Sequence, residues 1–171
     1  MNASAPLDAG WARAAAAGLS FRRTTDADLP LLARVYASTR EEELAATPWN
    51  EAQKAQFLDM QFRAQHTDYR KNYPQADWLV TMQDGEDIGR LYRDRGSSEY
   101  LIIDIAFLPQ HRSKGFGTAL LLDLLDEAAG ADKAVTIHVE KFNPAMRLYR
   151  RLGFATVEDQ GVYDLMRWPA A

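Results

Sequence analysis

The sequence contains no cysteine, and this absence removes several kinds of chemistry at once. Disulfides, thiolate metal sites and cysteine nucleophiles are excluded. The only three histidines, His66, His111 and His138, are scattered along the chain, so no metal site is expected. No apolar run is long enough to span a bilayer, and the first twenty residues lack the basic leader and strong apolar core of a signal peptide. We therefore expect a cytoplasmic protein that has no membrane partner.

The chain also lacks an excess of positive charge. Its 20 Lys and Arg residues are outnumbered by 24 Asp and Glu residues, which gives a net charge of −4. Non-specific nucleic-acid binding relies on a basic surface, so no nucleic-acid partner is expected, whereas cationic substrates are mildly favoured.

With 171 residues, 47% of them hydrophobic, and no repeat or flexible linker, the chain is long enough for one domain with a real core. We expect an arm or short helix over residues 1–18 and the domain over residues 19–171.

Hydrophobic periodicity predicts a mixed α/β (α+β) fold. The predicted order of elements is β-α-α-β-β-β-α-β-α-β-β. Strands are expected at residues 19–23, 78–82, 88–93, 100–108, 134–140, 154–157 and 162–168. Helices are expected after Thr25, from Thr47-Pro48 to residue 72, at residues 119–130, and after Asn143-Pro144, where asparagine is a typical cap and proline a typical first helical residue.

The segment Arg112-Ser113-Lys114-Gly115-Phe116-Gly117-Thr118 is a glycine-bearing turn between a predicted strand and a predicted helix. Backbone N–H groups at a helix start have no intrahelical partner and lie at the positive end of the helix dipole, so a phosphate fits there. Gly115 and Gly117 remove Cβ atoms that would hold a phosphate away, and Arg112 and Lys114 add positive charge. A Rossmann fingerprint needs a third glycine where a leucine stands, and in a P-loop the lysine follows the glycine rather than preceding it.

A second motif runs from Asn143 to Phe154, one predicted strand after the glycine turn. Together, residues 105–117 and 143–154 closely resemble the GNAT superfamily of acetyl-CoA-dependent N-acetyltransferases. The resemblance implies a mixed, mostly antiparallel central sheet with a splayed strand pair and about four flanking helices. It also implies transfer of an acetyl group from acetyl-CoA, as co-substrate, to a small-molecule or peptide amine.

The resemblance assigns roles residue by residue. It implies that the backbone of Ile105, Ala106 and Phe107 pairs with the pantetheine arm, and that one of these N–H groups polarises the thioester carbonyl. It implies that Asn143 reaches the same arm and that Tyr149 protonates the departing CoA thiolate. From the residues alone, Tyr149 lies on the apolar face of its helix, so a core tyrosine is the alternative. The N–H groups that should cradle the pyrophosphate belong to Ser113, Lys114, Gly115, Phe116, Gly117 and Thr118.

The residue expected to accept the proton of the amine differs from that of the better-known relatives. Some of them carry a glutamate five residues before the motif asparagine, and here that residue is His138. Histidine ionises near neutral pH, which suits a general base. A histidine bonded to structure or solvent is the alternative, and Asp104, Glu140 or water are competing proton acceptors. Asp104 lies inside an apolar strand, and it equally suits a structural partnership with Arg112 or with a backbone group.

The amine acceptor itself cannot be read from the sequence. Glu41-Glu42-Glu43 has the pattern of a solvated helix face. In proteins of the resembled fold, however, this region commonly lines the acceptor site, so an acidic and aromatic pocket is the alternative there, with Trp49, Tyr69 and Tyr73 nearby in sequence. A catalytically silent acyl-CoA-binding sensor or interaction domain is the alternative function. The aromatic residues of the C-terminal hairpin leave a monomer or a homodimer open.

Overall fold

The computed structural model describes residues 7–170, which form six α-helices and seven β-strands. Among these residues, no helix has the length and apolar character needed to cross a bilayer. The helices are α1 (Ala12–Ala16), α2 (Leu29–Ser38), α3 (Glu41–Ala45), α4 (Glu51–Asn72), α5 (Phe116–Gly130) and α6 (Met146–Arg151). The strands are β1 (Leu19–Arg23), β2 (Asp77–Gln83), β3 (Glu86–Arg95), β4 (Glu99–Phe107), β5 (Ala134–Glu140), β6 (Ala155–Gln160) and β7 (Tyr163–Trp168).

All seven strands form one mixed sheet in the order β1-β2-β3-β4-β5-β7-β6. Every neighbouring pair is antiparallel except β4 and β5, which run parallel. These two strands pair only from Glu99 with Ala134 to Ile102 with Ile137, and then they diverge. The predicted mixed, mostly antiparallel sheet with a splayed pair is therefore confirmed. Among residues 7–170, six helices are present where about four were expected. Helix α1 lies within residues 1–18, where an arm or a short helix was expected, and α3, of five residues, is absent from the predicted order.

Helices cover both faces of the sheet. The larger core lies under α5 and α6, where Leu121, Leu124 and Leu125 of α5 are buried in one cluster with Ile102 and Ile137. Each leucine buried in this way stabilises the fold by roughly 1.5–3 kcal/mol. On the opposite face, α2 and α4 pack through Tyr36 and Phe62 onto Trp78 and Tyr92. A third, smaller cluster under α2 includes Val35, Val80 and Ala106.

Helix α4 begins later than the sequence pattern predicts. Asn50 accepts a hydrogen bond from the Gln53 backbone N–H at 2.8 Å, and the Gln53 side chain accepts one from the Asn50 N–H at 2.9 Å. This reciprocal capping box satisfies two N–H groups that a helix start leaves free. Glu51 is therefore the first helical residue, and Thr47-Pro48 precedes the helix.

Part of the predicted N-terminal arm is ordered against the domain. Residues 1–6 lie outside the described residues. Trp11 is buried in the larger core, the Ala14 N–H donates to Asp123 of α5 at 2.8 Å, and Arg13 pairs with the same carboxylate at 3.0 Å. A buried carboxylate is costly without such partners, so these bonds fix α1 on α5. The division of the chain at residue 18 stays a prediction.

Candidate functional site

A cavity of about 260 Å³ lies where β4 and β5 diverge, between the start of α5 and the side of α6. Tyr149 lines it, as do all predicted cofactor residues except Ala106 and Lys114. His138 is not part of its lining. A second hollow, of about 270 Å³, lies at the opposite end of α5 beside Trp168. The structure therefore brings most of the predicted donor-site residues together around one cavity.

The glycine turn presents free backbone donors to this cavity. Among the described residues, no backbone oxygen accepts a hydrogen bond from the N–H groups of residues 113–118, and the first bond of α5 is donated by Ala119 to the Gly115 carbonyl at 3.0 Å. Unpaired N–H groups at a helix start carry the positive end of the helix dipole. The turn can accept an anion such as a phosphate without rearranging its own hydrogen bonds.

Conformation and spacing explain the two glycines of the turn differently. Gly115 has a φ of +83°, in the left-handed region that favours glycine, although a Cβ there would meet nothing within 4 Å. Gly117 is helical, and a Cβ there would make only an ordinary 3.6 Å contact with the Phe107 ring. Neither backbone strain nor packing requires glycine at position 117. The open space in front of Gly117 is thus available to a ligand that approaches the backbone closely.

The Arg112 side chain is engaged within the protein. Its Nε donates to the Phe107 carbonyl at 2.9 Å, and one terminal nitrogen donates to Ser38 Oγ, also at 2.9 Å. Arg112 therefore joins the end of β4 to α2 and holds the start of the glycine turn in place. The predicted partnership with Asp104 is wrong, because Arg112 uses these two oxygens instead.

Strand β4 has one unpaired edge beside the cavity. After Ile102, it remains bonded to β3 on one side, with Asp104 opposite Tyr92 and Phe107 opposite Gly89. On the other side it has no strand partner, because β5 has already diverged. An exposed strand edge offers N–H and C=O groups to any extended chain that lies along it. Ile105 lines the cavity at this edge, whereas Ala106 packs under α2.

Tyr149 lies on α6 with its side chain 3% exposed. Its ring packs edge-on against Phe154 at 5.7 Å, and its hydroxyl makes no hydrogen bond to any residue the structure describes. Burial raises the pKa of Tyr149 well above its usual range, and the negative charge of Asp104 raises it further. The hydroxyl therefore keeps its proton at any physiological pH and remains an available donor at the cavity.

Asp104 lies on the other face of the sheet, just past the end of the β4–β5 pairing. Its carboxylate forms an ion pair with Arg90, which is 2% exposed and also donates to Gln65 of α4 at 3.1 Å. Burial works to lower the pKa of Arg90, but Asp104, Tyr92 and Tyr69 together raise it above its usual value. The carboxylate of Asp104 also lies close enough to Tyr149 to raise the pKa of its hydroxyl.

His138 and Glu140 share the face of β5 that is turned away from α6. His138 is exposed, and its Nδ1 lies 2.9 Å from Gln160 Oε1. An amide oxygen only accepts, so Nδ1 carries the proton and Nε2 is left as an acceptor. Glu140 accepts a hydrogen bond from the Tyr163 hydroxyl at 3.4 Å. Both side chains point to the same side of the sheet as Asp104.

Asn143 lines the cavity and shapes the turn before α6. Its Oδ1 accepts a hydrogen bond from the Ala145 N–H at 2.9 Å, and its carbonyl accepts one from Met146 at 3.0 Å. Helix α6 consequently begins at Met146, three residues after the predicted cap, because the asparagine closes a separate turn first.

Four lining residues were missed by sequence reasoning: His111, Leu121, Ala145 and Leu148. The leucines and the alanine belong to helical apolar stripes, which predict core rather than a ligand site. His111 is 9% exposed, and both ring nitrogens lack a hydrogen-bond partner, with Glu86 Oε1 at 3.7 Å from Nε2. Its place directly before the glycine turn, within residues 105–117, was the only signal in the sequence.

Among the described residues, no group of three or more histidine, aspartate and glutamate side chains is arranged to hold a metal ion.

The sequence matches the family model described as the acetyltransferase (GNAT) family over residues 36–154. None of the curated proteins matches the chain.

Solved structures share the fold. The PaiA N-acetyltransferase of Thermoplasma acidophilum, in complex with coenzyme A, superposes with a TM-score of 0.64 at 16% identity, over 87% of this chain and 97% of that chain. A histone acetyltransferase HPA2 and related acetyltransferase from Corynebacterium glutamicum gives 0.60 at 22% identity, over 90% and 97%. Arabidopsis thaliana Naa50, in complex with the bisubstrate analogue CoA-Ac-MVNAL, gives 0.52 at 14% identity, over 88% and 97%.

Proposed function

The chain belongs to the GNAT family of acetyltransferases, and we propose that it transfers an acetyl group from acetyl-CoA to a primary amine by direct attack. One observation carries this proposal. Unpaired N–H groups of the glycine turn and a buried, proton-bearing Tyr149 line the same cavity, beside the free edge of β4. A binding module needs only the first of these features, whereas an acyl transfer enzyme uses both.

The proposed acetyl-CoA site rests on the match between the groups that line the cavity and the parts of the cofactor. The N–H groups of residues 113–118 suit the pyrophosphate, and Gly117 leaves room for its close approach. The backbone of residues 105–107 suits the pantetheine arm, since its edge has no strand partner. Asn143 lies on the opposite wall. Two solved relatives of the same fold hold coenzyme A and a CoA-based bisubstrate analogue, which supports acetyl-CoA as the co-substrate here.

The residues account for each transfer in the reaction. A neutral amine forms the new N–C bond while the C–S bond of the thioester breaks. An N–H group at the free edge of β4 stabilises the oxyanion that develops on the carbonyl oxygen. Tyr149 donates a proton to the departing thiolate. The proton that the amine loses goes to a base or to solvent, and a positioned base contributes typically 10² to 10⁴ in rate.

For the base we propose His138, acting through Nε2 and a bridging water, since the side chain lies outside the cavity lining. Asp104 is the competing acceptor because it lies near Tyr149, although its carboxylate is already engaged by Arg90. Glu140 and water alone are the remaining alternatives.

The experiment has two parts. Isothermal calorimetry measures acetyl-CoA binding, with dephospho-CoA and free adenosine as comparisons. A thiol-release assay then measures acetyl-CoA consumption with a panel of small amines, amino acids and N-terminal peptides. We expect micromolar binding and amine-dependent thiol release. Binding without release on any amine would favour a silent acyl-CoA-binding domain, and absence of binding would refute the assignment of the cavity.

A further inference from the structure

One buried histidine in the cavity wall has no hydrogen bond from its ring. His111 is the last residue of a short 3-10 helix, Pro109–His111, directly before the glycine turn. Its side chain is nine-tenths buried, and neither ring nitrogen has a hydrogen-bond partner among the described residues. Buried polar groups are normally paired, so this imidazole is an incomplete arrangement. A group from outside the chain would complete its electrostatic environment.

The backbone fixes this ring between β3 and the glycine turn. The Leu108 N–H donates to the Ile88 carbonyl of β3 at 2.8 Å, and the His111 N–H donates to the Leu108 carbonyl at 2.9 Å. The glycine turn follows at once, and all its residues except Lys114 line the same cavity as His111. The N–H groups of residues 113–118 form the proposed pyrophosphate site. The ring therefore lies beside the position expected for the phosphates.

A carboxylate faces the ring from β3. Glu86 Oε1 lies 3.7 Å from His111 Nε2, which is too far for a hydrogen bond but within the range of an ion pair. Histidine forms an ion pair only when its ring is protonated. A carboxylate on one side and a bound phosphate on the other both favour the protonated ring, whereas burial opposes it. The balance between these effects changes when a phosphate arrives.

The other charged side chains of the neighbouring segments have different surroundings. Asp87 of β3 pairs with Arg22 at 3.0 Å. The guanidinium of Arg112 joins β4 to α2, and Lys114 is exposed on the turn. Glu86 is thus the acidic group with which the ring can pair, and its exposed side chain is free to move closer.

We propose that His111 takes up a proton from solvent when acetyl-CoA binds and stabilises the pyrophosphate by its positive charge, with Glu86 as its counterion. Both ring nitrogens are shielded from solvent, so the charge acts across the cavity wall rather than by direct contact with the ligand. His111 is therefore a positioning residue of the phosphate site. This inference rests on the proposed acetyl-CoA site.

Calorimetry with acetyl-dephospho-CoA tests the proposal. This ligand keeps the pyrophosphate but lacks the phosphate monoester, whose own ionisation near pH 6 would obscure the result. The binding enthalpy at pH 7 in two buffers of different ionisation enthalpy gives the number of protons taken up. We expect about 0.3–0.7 proton per ligand for the wild type, and a three- to tenfold loss of affinity, roughly, from pH 6 to pH 8. In His111→Gln, we expect less than about 0.1 proton and an affinity that varies by less than about twofold.

His66→Gln is the matched control, because His66 lies on α4 and does not line the cavity. Its proton uptake should equal that of the wild type. Glu86→Gln keeps the ring but removes its counterion, so it should take up about half as many protons, and it tests the proposal even if His111→Gln does not fold. S-acetylpantetheine, measured by competition, lacks phosphates, so its affinity for the wild type and for His111→Gln should agree within about twofold.

The results that would overturn the proposal are distinct from those that would overturn the proposed function. Ligand binding by the wild type without proton uptake, or uptake that persists in His111→Gln, overturns this inference alone. Equal losses of affinity for acetyl-dephospho-CoA and S-acetylpantetheine in His111→Gln would show that the ring only shapes the cavity, which also overturns it. Failure of the wild type to bind acetyl-CoA overturns the proposed function and this inference with it.

Discussion

Replacing Tyr149 by phenylalanine should separate chemistry from folding. The substitution keeps the ring, its edge-on contact with Phe154 at 5.7 Å and the filling of the core. The hydroxyl that it removes makes no hydrogen bond to the described residues, so the usual loss of about 0.5–1.5 kcal/mol per hydrogen bond should not occur. We expect the free energy of unfolding to change by less than about 0.5 kcal/mol.

The expected effect on the reaction is much larger. Loss of a positioned proton donor costs about 10² to 10⁴ in rate, which at 1.36 kcal/mol per tenfold is about 2.7–5.4 kcal/mol of transition-state stabilisation. The loss should fall on kcat, with acetyl-CoA affinity nearly unchanged, because the hydroxyl acts on the leaving thiolate. Burial and Asp104 raise the pKa of Tyr149, so the wild-type rate should show no loss from tyrosine ionisation as the pH rises to about 10.

The assay is single-turnover thiol release, which reports the chemical step without product release. Tyr100→Phe is the matched control, because Tyr100 is also a buried tyrosine in the larger core but does not line the cavity. Its rate should stay within about twofold of the wild type, or 0.4 kcal/mol. If Tyr149→Phe released thiol at the wild-type rate while remaining fully folded, Tyr149 would be a core tyrosine and its role as an acid would be refuted.

Three further results are expected. Gly117→Leu should fold normally but weaken acetyl-CoA binding by at least about tenfold in calorimetry. Gly130→Leu, at the other end of α5, is the control and should bind acetyl-CoA normally. Equal affinities of the two variants would show that the pyrophosphate does not bind at Gly117. His138→Gln should lower kcat/KM by about 100-fold and remove the acid limb of its pH profile, and an unaltered profile would transfer the base role to Asp104 or water. Arg22 lowers the pKa of Asp28 to about 2, although partial burial works to raise it. The stabilisation that this ion pair gives the folded state is therefore present above about pH 4 and is lost as the pH falls to about 2. Asp28→Asn should therefore reduce the free energy of unfolding at pH 7 by about 1–2.5 kcal/mol and flatten its acid dependence in urea titrations, and a pH dependence like that of the wild type would contradict the ion pair.

The elements that were predicted best are those with strong local signals. The leucine stripe of α5 and the apolar run of β4 each define a face without reference to the rest of the chain. The helix starts that differ from the prediction are set by side chains that form hydrogen bonds with backbone groups near the helix end. Asn50 and Gln53 move the start of α4 to Glu51, and Asn143 closes a turn that delays α6.

The geometry of the glycine turn was predictable because its free groups belong to the backbone. A glycine turn followed by a helix specifies its free N–H groups locally, so residues 113–118 and their cavity follow from one stretch of sequence. The partners of Asp104 were not predictable in the same way. Arg90 comes from β3 and Gln65 from α4, and only the folded sheet brings them together. Pairing between distant elements leaves no periodic signal in the sequence.

A single β-bulge explains how β4 contributes side chains to both faces of the sheet beside the cavity. The register between β3 and β4 shifts so that Ile102 opposes Arg93 and Asp104 opposes Tyr92, which leaves Ile103 as the extra residue. One inserted residue exchanges the faces of every side chain that follows. With regular alternation, Asp104 would join Ile102 in the apolar core under α5, where an unpaired carboxylate is costly. The bulge instead turns Asp104 to the α2 and α4 side of the sheet, where it pairs with Arg90, and Ile105 returns to the cavity wall. The position of the bulge, rather than the composition of the strand, therefore sets which side chains of β4 face α2 and α4 and which face the cavity.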